Sequence, residues 1–129
     1  VHVFNNIDRD DPGYMRRAAI TQDLTAVTAA CMMTKRALFD EIGGFNEDFE
    51  VAFNDVDYCL RLRRADKLVV FDADALLYHY ESFSRGYESD EKMARFMAEQ
   101  GRMRLCWPEY FACGDPYHGA MSTQLDADW

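Results

Sequence analysis

The stretch FNDVDYCLRLRR, residues 53–64, opens with three oxygen-bearing side chains, Asn54, Asp55 and Asp57, and closes with Arg61, Arg63 and Arg64. Val56, Cys59 and Leu60 recur at helical spacing, so it reads as one amphipathic helix over residues 54–65. Local helix physics accounts for most of the charge. Asn54 is a good N-cap residue, and Asp57, three positions on, imitates a capping box. Anions in a first turn face the positive end of the helix dipole, worth about 0.3–1 kcal/mol. Asp57 and Arg61 are four apart and can pair. None of these roles requires Asp55. A carboxylate there is either solvated or points into a cleft at the helix N-terminus, as a catalytic carboxylate would.

Other side chains invite comparison. His79 follows an apolar run and precedes a polar loop, SFSRGYES, which carries Ser84, Arg85 and Gly86. Loops at element ends are common places for ligand-binding groups, and a planar guanidinium suits a diphosphate. Singly, a histidine at a strand end is more often a structural residue, and an arginine beside a glycine is a weak signal. NEDFEVAFNDVD places oxygen-bearing side chains at positions 1, 3, 5, 9 and 12 of a twelve-residue window, as a calcium-binding loop does. That loop needs Gly at position 6 and a bidentate Glu at position 12, where Val51 and Asp57 stand here, and the apolar VAF run falls inside it. The DAD string at 72–74 reads as a turn at a strand end.

The elements that position these groups alternate between strand and helix. LTAVTAACMMT, residues 24–34, is rich in β-branched and small residues and predicts a buried strand. KRALFDEIGGF predicts a short helix stopped by Gly43 and Gly44. KLVVFDADALLYHY predicts strands over 67–72 and 75–80, and Met93, Phe96, Met97 and Met103 mark a core stripe on a helix over 89–106. Residues 1–22 read as an irregular loop, and the last fifteen have little regular pattern. The order implies an α/β layered domain with a thin sheet.

Composition agrees with one globular unit: 129 residues, 49% hydrophobic, 29% charged. A net charge of -9 argues against a nucleic-acid or anionic-membrane surface, since both need a basic patch. No two of Cys31, Cys59, Cys106 and Cys113 have the C-x-x-C spacing of a zinc ribbon, and Cys31 and Cys59 read as small core residues in a reducing compartment. No run of 18 apolar residues is present.

Taken in order, AVTAACMMTKRALFDEIGGFNEDF, then FNDVDYCLRLRRADKLVVFDADALLYHYESFSRG, resembles the C-terminal half of a family 2 glycosyltransferase domain of the GT-A type. The resemblance covers about residues 12–119, including DPGYMRRAAITQDLTAVTAAC, which is similar to bacterial polysaccharide and O-antigen transferases, and DPYH near the end. It implies a three-layer α/β/α domain represented here by its acceptor-side half, over residues 1–129, with an incomplete sheet and the nucleotide-binding half absent. It implies inverting transfer of a sugar from a nucleotide-diphosphate donor to a glycan or lipid-linked acceptor, in surface polysaccharide synthesis, in the cytoplasm or at the inner face of its membrane. Asp55 matches the base toward the acceptor hydroxyl in a Glu-Asp type motif whose Glu is here Asn54. His79 matches a histidine that completes a divalent metal site (Mn or Mg), and Ser84 and Arg85 match a loop near the donor diphosphate. Asn54, Asp57 and Arg61 support the base. Ala29, Asp66 and Ala73 stand where the family has Gly, Gly and Pro. The alternative is a non-catalytic interaction module derived from the same fold. The isolated chain is expected to be inactive and to self-associate through exposed strand edges near 26–29 and 68–70.

Overall fold

The computed structural model describes residues 8, 10–50, 52–78 and 90–117. In chain order the elements are β1 (Gln22–Asp23), α1 (Arg36–Ile42), α2 (Asn54–Arg64), β2 (Val70–Phe71), α3 (Asp90–Cys106) and α4 (Pro108–Cys113), with short 3-10 segments at Tyr14–Ala19 and Ala29–Cys31. The strands pair antiparallel, Gln22 opposite Phe71 and Asp23 opposite Val70, and the Leu24 N–H prolongs the ladder by donating to the Val69 carbonyl at 2.8 Å. This mixed helix-and-strand arrangement is compatible with an α/β class.

Helix α2 is buried on two sides. Leu60, flanked by the partly buried Val56, packs with Phe49, Met103 and Trp107 against α3 and the start of α4. Tyr58, Cys59 and Leu62 pack with Val69 and, around it, Val27, Leu38, Phe39 and Ile42 from α1 and the sheet side. Double burial explains why apolar residues run almost unbroken from Tyr58 to Leu62, where a surface helix would show one stripe. The rings of Phe39, Phe45 and Tyr58 meet at 5.2–5.6 Å, locking α1 and its following turn onto α2.

The GG stop forms as expected. Gly43 sits at φ 89°, where its N–H reaches the Phe39 and Asp40 carbonyls, and a Cβ on Gly44 would lie 3.2 Å from the Phe39 ring. At the other end of α2, Asp66 adopts φ 57° and its N–H closes on the Arg63 carbonyl at 2.9 Å. A side chain there costs about 1 kcal/mol or somewhat more relative to glycine. Asp66→Gly is therefore expected to raise stability by about 1 kcal/mol, read as a higher denaturation midpoint at unchanged slope; a lower midpoint would show that the Asp66 side chain compensates its own strain.

Four expectations need correction. Residues 24–34 are not a strand: after Leu24 the chain leaves the ladder, Thr28 caps the 3-10 segment by accepting the Ala30 N–H at 3.2 Å, and Ala29, Ala30 and Cys31 are exposed. Cys31 is thus no core residue, whereas Cys59 is. Of the strands expected over 67–72 and 75–80, only Val70–Phe71 forms; residues 75–78 have no regular element and Leu76 and Leu77 are exposed, while 79 and 80 lie outside the described residues. On α3 the buried positions are Glu99 and Met103, continued by Trp107 just beyond the helix, whereas Met93, Phe96 and Met97 are 39–58% exposed. The face is set by Trp107, four and eight residues beyond Met103 and Glu99. Among the described residues, no helix is long and apolar enough to cross a membrane.

Candidate functional site at the N-terminus of helix α2

Four of the singled-out residues, Asn54, Asp55, Asp57 and Arg61, lie on α2, and the structure divides them sharply. The expected N-cap role of Asn54 does not form. Phe53 occupies the cap position in the left-handed region (φ 65°, ψ -1°), and the Asn54 side chain instead accepts its neighbour's N–H, from Asp55, at 2.7 Å. Nor is there a capping box, because Asp57 turns inward.

Asp57 is 3% exposed. One oxygen accepts Arg61 Nε–H at 2.8 Å and the other accepts the indole N–H of Trp107 at 2.9 Å. Arg61 then extends its fork to the Ile42 carbonyl at 2.8 Å and the Gly44 carbonyl at 2.6 Å. One carboxylate thus ties α2 to the residue between α3 and α4, and through Arg61 to the turn after α1. The i,i+4 pair is as expected from spacing, but its partner in Trp107 is fifty positions away. A buried, fully paired carboxylate of this kind is structural.

Asp55 is different. It is half-buried, and among the described residues no Lys or Arg pairs with it. Its Oδ1 accepts the Val56 N–H at 2.8 Å and its Oδ2 accepts the Ala29 N–H at 3.0 Å. Two backbone donors orient the carboxylate and hold it against the segment that follows β1, and they occupy about half of its roughly four acceptor positions. One turn further on, the Cys59 thiol donates to the Val27 carbonyl at 3.7 Å, stitching the same two segments together. Burial pushes that thiol above its ordinary range; the Val27 bond opposes the shift and the negative charge of Asp55 adds to it. Cys59 therefore stays a neutral packing group.

Just upstream, the backbone of the NEDFEVAF loop is held from α3. Glu99, 5% exposed, accepts the Glu50 N–H at 3.1 Å and the Ala52 N–H at 2.7 Å. Arg102, one turn on, donates to the Asp48 carbonyl, and the Phe53 ring rests on Phe96 with centroids 5.3 Å apart. Nothing in the sequence pattern marks Glu99 strongly. Its only local signal is an acid inside an otherwise apolar helical stripe.

His79, Ser84 and Arg85 lie outside the described residues. Among the described residues no three His, Cys, Asp or Glu side chains are grouped to hold a metal ion. The described residues therefore do not by themselves make the expected divalent-cation site. In the calcium-loop window, Asn46 accepts the Asp48 N–H at 3.0 Å and Asp57 faces Arg61 and Trp107. The DAD string makes the expected turn after β2, with Asp72 Oδ1 accepting the Asp74 N–H at 3.1 Å. Asp115, from DPYH, bonds the Thr25 hydroxyl at 2.6 Å, fastening the segment after α4 beside β1.

No family model and no solved structure matches the chain. It is similar to an uncharacterized protein, y4gI, of Sinorhizobium fredii, at 47% identity over 114 residues, which is 87% of this chain and 12% of that protein. It is also similar to the O-antigen biosynthesis protein RfbC of Myxococcus xanthus, at 32% identity over 108 residues, 84% of this chain and 8% of the relative. A third relative is the N-acetylglucosaminyl-diphospho-decaprenol L-rhamnosyltransferase of Mycobacterium tuberculosis, at 29% identity over 68 residues, 53% of this chain and 22% of that enzyme. The chain thus spans between 8% and 22% of the length of these three relatives.

Proposed function

We propose that this chain is the acceptor-side part of a glycosyltransferase of the GT-A type, which moves a sugar from a nucleotide-diphosphate donor to a glycan or lipid-linked acceptor in surface polysaccharide synthesis. The names of two relatives support the transferase class. The observation that carries the site is Asp55: a half-buried carboxylate, oriented by two backbone N–H groups and unpaired with any cation among the described residues.

In the reaction, an acceptor hydroxyl oxygen attacks the anomeric carbon from the face opposite the leaving group. The new C–O bond forms as the bond from that carbon to the diphosphate oxygen breaks, and the hydroxyl proton passes to Asp55. Configuration inverts. The nucleoside diphosphate departs with the bonding pair, so one carboxylate suffices on the protein side. A general base in this position contributes about 10²–10⁴ in rate. By the resemblance, His79 would be among the residues holding a divalent cation, which would supply positive charge for the leaving diphosphate, and Ser84 and Arg85 would serve the donor side. Asp57 and Arg61 keep α2 fixed to its neighbours while Asp55 works. The 129-residue chain by itself is expected to be inactive and to self-associate beside the sheet, where Leu68 and Val70 are 68% and 49% exposed.

The test is acceptor-dependent release of nucleoside diphosphate by the full-length gene product across a panel of nucleotide sugars. Release with at least one donor, rising with added polyprenyl-linked or glycan acceptor, is the expected result. A folded protein silent with every donor would favour a non-catalytic module instead.

A further inference from the structure

The cap of α2 is strained. Phe53 holds a left-handed backbone that bulky residues avoid, at a cost of order 1–3 kcal/mol. Such a conformation persists only where the surroundings over-determine it, and here they come from α3. Glu99, Phe96 and Arg102 lie three residues apart on one flank of that helix and act on consecutive parts of the loop. Arg102 takes the Asp48 carbonyl, Glu99 takes the Glu50 and Ala52 amides, and Phe96 takes the Phe53 ring. The next residues are Asn54 and Asp55.

Glu99 stands out because packing alone does not call for it. A carboxylate 5% exposed is expensive unless its oxygens are satisfied, and an apolar residue would fill the same helical face with less desolvation. What Glu99 supplies instead is a rigid pair of acceptors for two backbone donors, in the segment that sets where α2 begins. Charge-assisted bonds of this kind are shorter and stronger than neutral ones. Asp55 lies three residues beyond Ala52, and its own bond to Ala29 crosses to a different segment. A shift of the cap would therefore move the carboxylate relative to any acceptor hydroxyl, and misplacement by about 1 Å in a reacting pair can cost about 10² in rate.

Resting on the transferase reading of Asp55, we infer that Glu99 is a positioning residue for that base: it holds the Glu50 and Ala52 amides and with them the left-handed Phe53, so that the Asp55 carboxylate meets the acceptor. Glu99 itself touches no substrate in this scheme.

A double-mutant cycle in the full-length gene product tests this, with acceptor-dependent nucleotide release as the readout. Glu99→Gln keeps the shape but leaves one acceptor oxygen where there were two. The expected result is a fall in kcat of at least about tenfold with donor KM within about twofold. In an Asp55→Asn background the same substitution is expected to change the residual rate by less than about twofold, because a residue acting only through Asp55 has nothing left to position. Multiplicative losses in the double variant, or an unchanged rate in the single one, overturn the inference while leaving Asp55 as base. A near-normal rate for Asp55→Asn alone rejects the base, and the inference falls with it. Glu99→Asp, which keeps the charge but falls one methylene short of spanning both amides, serves if the Gln variant melts below assay temperature. If both melt there, Glu99 is a stability residue and the inference is wrong.

Discussion

Asp57→Ala is expected to destabilise the protein by about 3–5 kcal/mol, the usual cost of removing one partner from a buried ion pair. Two groups would lose their acceptor at once. The Trp107 indole N–H, now 2.9 Å from Asp57 Oδ1 inside the core, would be left unsatisfied at a cost of about 1–3 kcal/mol. Arg61 would keep the Ile42 and Gly44 carbonyls but lose its only neighbouring negative charge in this network. The exposed Arg36–Asp40 pair provides the control. It has the same i,i+4 spacing and a similar distance, 2.9 Å, but its side chains are 86% and 54% exposed. Asp40→Ala should therefore cost no more than about 0.5 kcal/mol. Urea melts of both variants beside the parent read the difference. A loss below about 1 kcal/mol for Asp57→Ala would mean that Leu60, Met103 and Trp107 hold α2 by packing alone.

The contrast between these two pairs also marks how far the amino-acid pattern reaches. Helix α1 with its glycine stop, helix α2, the Asp57–Arg61 pair and the Asp72 turn were all legible, because each is decided by residues within about five positions. The errors have long-range causes. The strand expected over 24–34 fails where Asp55, twenty-six positions away, takes the Ala29 N–H that a neighbouring strand would have used. The buried face of α3 differs from its apolar pattern because Glu99 is satisfied by amides forty-seven and forty-nine positions away, which makes an acid a core residue. Asn54 looked like the cap because side-chain chemistry favours it, yet the backbone turn at Phe53 put the cap one residue earlier. At the candidate site, then, residue types and the separation of Asp55 from Asp57 could be read, whereas the loop that aims Asp55 could not.

That separation gives the second large effect, now on rate. Asp55→Asn in the full-length gene product is expected to lower sugar transfer by at least about 10²-fold, with stability changed by less than about 1 kcal/mol. The amide is nearly isosteric, and its carbonyl oxygen can still accept one of the two N–H groups that orient the carboxylate, from Ala29 or Val56. What it cannot do is take a proton from the acceptor hydroxyl near neutral pH, so the loss falls on the chemical step and has the size usual for a general base. Donor affinity should survive, because the orienting contacts of Asp55 are to backbone. Measuring kcat and donor KM separately, with a melting curve for the same preparation, distinguishes this from a folding defect. Asp57→Asn is the informative partner: two residues on, it faces Arg61 and Trp107, so any loss of rate there should track a fall in melting temperature. An Asp55→Asn enzyme that transfers sugar at close to the parent rate would return Asp55 to the helix, as an acid that favours the dipole and nothing more.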